Sequence, residues 1–171
     1  MDRIRILDVS RLAQDLAGGC YSYSAALTVI SDERIESLIP PILPGQNVPI
    51  GIIGHHQFDF LFYIKEARKN PFIKDQMEKV WASGAILTLG DTLAQNHYFD
   101  RGPVLELIRH LRNGVAHGNK FNIKNPEILN EFPARLRDPI TENQLTFDIT
   151  PDLKGKSVFF EFIDFGQLIT V

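Results

Sequence analysis

The fold class is decided by a stretch near the middle of the chain, NPFIKDQMEKVWASGAILTLGDTLA, which covers residues 70–94. It opens with Asn70 and Pro71, a pair typical of a helix start, because asparagine caps free N–H groups and proline fits the first helical position. Mostly apolar or small residues then recur at alternating intervals of four and three, which is a helical period. They are Ile73, Met77, Val80, Gly84, Leu87, Asp91 and Ala94. The stretch predicts a long helix.

Three further segments indicate helices. Apolar or small residues recur at helical intervals from Leu12 to Ile30, with Ser10 as a candidate N-cap. Residues 55–69 carry a dense aromatic cluster, and residues 103–118 begin at a proline and end at Gly118, a good C-terminal cap. The prolines and glycines of residues 40–54 cannot continue a helix, so that segment is predicted to be a loop.

The pattern changes after residue 120. Prolines break the chain into short pieces, with one or two helical turns expected around residues 127–137. Residues 145–149 and 157–163 are rich in β-branched and aromatic side chains and predict a β-hairpin. We therefore expect a mainly α fold, in which a helical bundle spans residues 1–125. A C-terminal extension, residues 126–171, would pack its hairpin on that bundle within a single compact domain.

Composition limits the class of protein. A chain of 171 residues fits one domain, since domains hold about 100–200 residues. Lys and Arg number 18 against 21 Asp and Glu, a net charge of −3 that argues against indiscriminate coating of nucleic acid. No secretory signal is recognised, and the apolar runs are shorter than the ~20 residues of a membrane span. With a single cysteine, Cys20, these features predict a cytoplasmic protein that does not enter membranes.

Chemistry concentrates at the end of the last predicted helix, LIRHLRNGVAHG, residues 107–118. Residues 101–124 hold five cationic side chains and one carboxylate, a net charge of +4 in a chain that is negative overall. On a helical wheel Val104, Ile108, Leu111 and Val115 form the predicted core face, and Glu106, His110, Asn113 and His117 follow each other on the opposite side. Arg112 lies at the margin, so bringing its guanidinium to His117 requires loosening at Gly114 or a second copy of the chain.

These residue types suit RNA cleavage. RNA carries its own nucleophile, the 2′-hydroxyl, so cleavage needs only proton transfer and stabilisation of the charge at phosphorus. Histidine can act as base or acid near neutrality, and arginine can bind two phosphate oxygens at once. An asparagine can hold a hydroxyl or phosphate without adding charge. The segment therefore favours a site for phosphodiester chemistry.

The string Arg112-Asn113-Gly114-Val115-Ala116-His117 resembles the R-N-x-x-x-H motif of the HEPN family, small helical-bundle proteins named for higher eukaryotes and prokaryotes nucleotide-binding. In that family the motif ends a late helix and two copies meet across a dimer. Active members are metal-independent endoribonucleases that leave a 2′,3′-cyclic phosphate. The resemblance covers about residues 10–120 and does not explain the hairpin.

The resemblance implies a role for each motif residue. Arg112 would stabilise the phosphate, Asn113 would orient the substrate and His117 would transfer the proton. The neighbouring Arg109, His110 and Lys120 are expected to contact RNA. An HEPN-like bundle would need no cofactor or metal and would form a homodimer with the site at its interface. A toxin–antitoxin or defence role, with an antitoxin or another protein as partner, would follow.

Alternatives remain open. The same surface would serve a non-catalytic HEPN-like module that binds RNA, a nucleotide or a protein, or would be a solvated helix face. Two histidines and an aspartate near residue 55 could start a metal site, although nothing completes a coordination shell. Aromatic residues of the C-terminal segment could stack bases, but core packing is the commoner role of such side chains. These two sets are His55, His56 and Asp59, and Phe147, Phe159, Phe160, Phe162 and Phe165.

Overall fold

The computed structural model describes residues 3–38, 50–137, 145–164 and 166–170. Most of the loop predicted for residues 40–54 lies outside these ranges, as does Phe165. Helices dominate what is described, and a small antiparallel pair of strands lies near the C-terminus, so the predicted mainly α class is confirmed. The helices are α1 Arg3–Ser31, α2 Ile35–Leu38, α3 Phe60–Lys69, α4 Pro71–Gln95, α5 Pro103–Ala116 and α6 Ile128–Glu131. The strands are β1 Ile50–Ile53, β2 His56–Asp59, β3 Arg135–Arg137 and β4 Leu145–Asp148.

The helix predicted from residue 70 is confirmed together with its start. The Oδ1 atom of Asn70 accepts a hydrogen bond from the Phe72 N–H at 3.1 Å, and Pro71 opens α4. The buried side of α4 differs from the predicted stripe, because Val80 and Met77 are exposed. Apolar and small residues surround this helix on all sides, so spacing identifies the helix without identifying its buried face. The buried positions are Ala82, Ile86, Gly90 and Leu93.

The helix predicted for residues 55–69 begins later than expected. Strands β1 and β2 pair with Ile53 opposite His56, which leaves Gly54 and His55 as a two-residue turn. Gly54 adopts φ +58°, a conformation that glycine reaches without a steric penalty. Asp59 then caps α3 by accepting a hydrogen bond from the Phe62 N–H. The segment 50–59 is therefore a hairpin.

The C-terminal strands pair differently from the prediction. Strand β4 agrees with the strand predicted at 145–149, but its antiparallel partner is β3, Arg135–Arg137. Residues 157–163 form turns with two isolated bridges, Lys120 to Ser157 and Phe159 to Ile163, and no extended strand. Three buried side chains of this segment, Val158, Phe159 and Ile163, pack in the core. Burial of its apolar residues therefore gave a strand-like pattern without a strand.

Contacts divide the chain into two compact units. The first contains Met1–Gly18 and Lys79–Val171, and the second contains Gly19–Glu78. The core of the first unit joins α4 and α5 residues to residues far along the chain, among them Leu107, Leu111, Phe147 and Val158. In the second unit Arg68 donates hydrogen bonds to the carbonyls of Ile30 and Asp32. The domain boundary predicted at residue 125 stays a prediction.

Two further findings concern the sequence expectations. Cys20 is buried, and burial raises the pKa of its thiol, which agrees with a packing role. Within the described part of the chain no helix is both long and apolar enough to cross a membrane.

Candidate functional site

A cleft of about 360 Å³ opens beside the C-terminal half of α5 in the first unit. One wall is the helix itself and the other is the segment that follows it, residues 122–128. Two cationic side chains, two histidines and three asparagines line the cleft, and no lining residue is acidic. The lining residues are Arg109, His110, Asn113, His117, Asn122, Ile123, Lys124, Asn125 and Ile128. Four of the six predicted site residues therefore meet in one place.

The helical spacing of α5 explains how these four meet. Arg109, Asn113 and His117 lie four residues apart and so follow each other along one side of the helix. His117 is exposed at the C-cap, where its backbone N–H donates to the Asn113 carbonyl at 3.1 Å. The helix continues regularly through Gly114, so loosening there, one of the two alternatives for Arg112 and His117, does not occur. Arg109 and His117 therefore line the same cleft, so a guanidinium and an imidazole border it within one chain.

A buried carboxylate lies behind the cleft. Glu106 is 1% exposed, although the helical wheel placed it opposite the core. Its Oε2 accepts a hydrogen bond from Arg109 Nε at 2.8 Å and a second from Arg109 Nη2, and its Oε1 faces Arg101 Nη1 at 3.4 Å. Arg101 also lies 4.7 Å above the Phe132 ring. The wheel failed for Glu106 because the chain after α5 returns over this side of the helix.

His110 is also buried, at 9% exposure, which corrects its placement on a solvated face. Its Nε2 lies 3.5 Å from Arg109 Nη2. Burial and the charge of Arg109 lower the pKa of His110, and Glu106 opposes them. The lowered pKa favours the neutral form of His110, whose ring lies at the cleft wall.

Arg112 lies outside the cleft wall. Its Nε and Nη2 atoms contact Asp91 Oδ1 on α4 at 2.8 and 2.6 Å, and its Nη1 donates to Asn113 Oδ1 at 3.3 Å. Its aliphatic carbons pack over Gly90, where a Cβ would lie 2.6 Å from Arg112 Cγ. Arg112 is thus engaged by a carboxylate and reaches the cleft only through Asn113.

Lys120, the last predicted site residue, does not line the cleft. Its backbone instead bonds the end of α5, with the Lys120 N–H donating to the Gly114 carbonyl at 3.0 Å. The opposite wall is formed by residues that sequence reasoning missed. For Lys124 a signal was present, since it belongs to the segment of net charge +4. Nothing in the periodicity pointed to Asn122 and Asn125, which lie in an irregular segment.

Asn119, which has φ +63°, anchors the chain between the end of α5 and the second wall of the cleft. Its side chain forms two hydrogen bonds with the backbone of Phe159, accepting from the N–H at 2.9 Å and donating to the carbonyl at 3.4 Å. Val158 meanwhile fits against Gly114, where a Cβ would lie 2.4 Å from Val158 Cγ2. Residues 157–159 therefore support the end of α5.

The possible metal site near residue 55 and the aromatic residues of the C-terminal segment were the other candidates. His56 and Asp59 lie on strand β2 and His55 in its turn, and no group of three potential metal ligands occurs among the described residues. Phe147 and Phe159 are buried and Phe162 packs on the core, which identifies them as core residues, whereas Phe160 is exposed.

No family model matches this chain, and neither the curated proteins nor the solved structures contain a significant match to it.

Proposed function

We propose that the protein is an HEPN-like, metal-independent endoribonuclease that cleaves RNA in the cleft beside α5. The observation that carries the proposal is the set of cleft residues, in which an exposed histidine, a half-buried asparagine and two cations occur with no carboxylate. Such a lining attracts a phosphodiester and supplies a group that can move a proton. The proposal includes a cytoplasmic location and a toxin–antitoxin or defence setting.

In this proposal the RNA 2′-hydroxyl attacks the adjacent phosphorus and the 5′-oxygen of the next nucleotide leaves. The products are a 2′,3′-cyclic phosphate and a free 5′-hydroxyl. His117 accepts the proton of the attacking 2′-hydroxyl and returns a proton to the leaving 5′-oxygen, since it is the exposed histidine of the cleft. Asn113 orients the substrate, and Arg112 keeps the Asn113 amide in place through its hydrogen bond to Oδ1.

The direct test is incubation of the purified protein with RNA in the presence of EDTA. We expect cleavage by the wild type. His117→Ala should cleave at least about 100-fold more slowly, because a positioned acid or base contributes about 10²–10⁴-fold. His56→Ala is the matched control, since that histidine is exposed on β2 and does not line the cleft. No cleavage by the wild type, or equal cleavage by both variants, would contradict the proposal.

The chemistry has its own test. An oligonucleotide with 2′-O-methyl groups at every position has no free nucleophile, so it should stay intact while the unmodified RNA is cut. The new 3′ ends of the unmodified RNA should carry a cyclic phosphate, detectable by mass spectrometry. Cleavage of the methylated strand would exclude attack by the 2′-hydroxyl.

One observation favours a second candidate, a non-catalytic HEPN-like module that binds RNA or a nucleotide. The guanidinium of Arg112, the cation of the motif, is held by Asp91. Such a module would bind RNA in a salt-sensitive manner without releasing product, which filter binding beside the cleavage assay distinguishes.

The proposal retains the homodimer that the resemblance implies. Light scattering should report twice the chain mass, and a strict monomer would remove the shared interface from the proposal. The cleft would then have to act within one chain.

A further inference from the structure

The cleft is lined by positive charge that does not come from Arg112, the arginine of the R-N-x-x-x-H string. Its two cations are Arg109 and Lys124, and its remaining polar lining residues are asparagines and histidines. The lowered pKa of His110 favours its uncharged form. A phosphate that enters the cleft would therefore meet Arg109 and Lys124 as its charged partners.

Arg109 is held in position from within the protein. Its guanidinium places two nitrogens on one oxygen of Glu106, and a carboxylate as buried as Glu106 is stable only when it is paired and hydrogen-bonded. Arg101 contacts the second oxygen. Two guanidinium groups thus share one carboxylate, and the cluster keeps one positive charge in excess. Arg109, whose side chain is 27% exposed, is the member of this cluster that lines the cleft.

Arg112, in contrast, pairs with a carboxylate of its own, Asp91. It faces Asp91 in a one-to-one pair, and both side chains are more exposed than Arg109. Arg112 thus has a carboxylate of its own and does not line the cleft, whereas Arg109 shares its carboxylate with Arg101 and lines it.

We propose that Arg109 is the guanidinium that binds and neutralises the phosphate in this cleft, that Lys124 assists it, and that Glu106 is its positioning residue. Arg112 then acts as a positioning residue for Asn113. The assignment rests on the proposed function in taking RNA as the source of the phosphate.

The test compares two matched variants, Arg109→Gln and Arg112→Gln. Each removes one guanidinium and keeps the first two methylene groups of the side chain. The readout is the Kd for a fluorescent 2′-O-methyl oligonucleotide, which binds without being cleaved. We expect Arg109→Gln to weaken binding about tenfold or more, since a hydrogen bond to a charged group is worth that much. Arg112→Gln should stay within about twofold of the wild-type Kd while cleavage of unmodified RNA slows.

Two further variants separate positioning from folding. Arg109→Lys keeps the charge but loses one of the two nitrogen contacts with Glu106, and it should bind more weakly than wild type while still giving a cooperative thermal unfolding transition. Glu106→Gln should weaken binding as well, and circular dichroism with thermal melting shows whether it folds. Arg11→Gln, which removes an arginine that is 83% exposed and does not line the cleft, should bind as wild type does.

The salt dependence gives an independent readout. Loss of one phosphate contact on a single strand should reduce the slope of log Kd against log salt by about 0.7 in Arg109→Gln. Equal losses in Arg109→Gln and Arg112→Gln, or wild-type binding by Arg109→Gln, would overturn the assignment while the proposed function stands.

Inorganic pyrophosphate separates the assignment from the proposed function. If the wild type binds pyrophosphate through Arg109 but does not bind the oligonucleotide, the anion site stands and the ribonuclease proposal fails. If it binds neither, both fail.

Discussion

Gly114 has only a hydrogen atom as its side chain, and this allows α5 to pack closely against the C-terminal segment. A Cβ there would lie 2.4 Å from Val158 Cγ2 and 3.3 Å from the Lys120 carbonyl oxygen. The backbone oxygen cannot rotate away as a side chain can. The glycine of the R-N-G string is therefore a packing requirement in this protein, independent of any catalytic role.

We expect Gly114→Ala to lower the free energy of unfolding by about 1–3 kcal/mol, the usual cost of overpacking a core. Gly84→Ala is the matched control on α4, because a Cβ there meets nothing within 4 Å. It should raise the same quantity by about 0.5–1 kcal/mol, as replacing a helical glycine does. Urea denaturation measures both. The Val158→Ala change should relieve part of the Gly114→Ala loss, and a stabilised Gly114→Ala variant would contradict this packing.

His110 gives a prediction on pH. Burial and Arg109 lower its pKa, so the unfolded chain binds a proton more readily than the folded one. The contribution to stability is complete above the unfolded pKa of about 6.5 and is lost as the pH falls toward the lower folded value. The free energy of unfolding should therefore decrease as the pH falls below about 7, and His110→Gln should flatten this dependence. An identical slope in the variant would argue against a buried, neutral histidine.

At the scale of elements, the helices were predictable where local signals agree. Asn70 and Pro71 start α4, and Gly118, with φ +81°, follows α5, because caps depend on neighbours in the chain. The burial of Glu106 was not predictable, since it depends on a segment that returns after the helix ends. The pairing of β3 with β4 was not predictable either, because strand partners depend on contacts between distant parts of the chain.

The same distinction holds for the candidate site. Spacing alone aligned His110, Asn113 and His117, and all three line the cleft. The ion pairs of Arg109 and Arg112 required knowledge of their carboxylate partners, one of which lies on another helix. Side-chain partners across elements are a tertiary property, so the motif could not reveal that Arg109 lines the cleft while Arg112 pairs with Asp91.

Asn119 is the element-level link that can be tested most cleanly. Asn119→Gly keeps the left-handed backbone but removes two hydrogen bonds, and we expect a loss of about 1–2 kcal/mol in the free energy of unfolding. Asn119→Ala adds the strain of a Cβ at φ +63° and should cost about 1 kcal/mol more. Denaturant unfolding measures both. Equal stability of the two variants would show that the backbone relaxes out of the left-handed region.

At the scale of the whole molecule, charge is unevenly distributed. The net charge is −3, while residues 101–124 carry +4, so the remainder of the chain is negative. Only two cations line the cleft. Single-stranded RNA should therefore bind with few ionic contacts, and the slope of log affinity against log salt should be about −1.4, or −0.7 for each contact. Fluorescence anisotropy across a salt series measures it, and a much steeper slope would mean that RNA binds over a broader surface.

The contact of Asn119 with Phe159 has a consequence for synthesis on the ribosome. The end of α5 leaves the ribosome about 40 residues before the segment that supports it, given the separation of that contact. The packing of Gly114 against Val158 and the hydrogen bonds of Asn119 with Phe159 can form only after that segment has been synthesised. The α5 wall of the cleft therefore reaches its final packing only after residues 157–159 have left the ribosome.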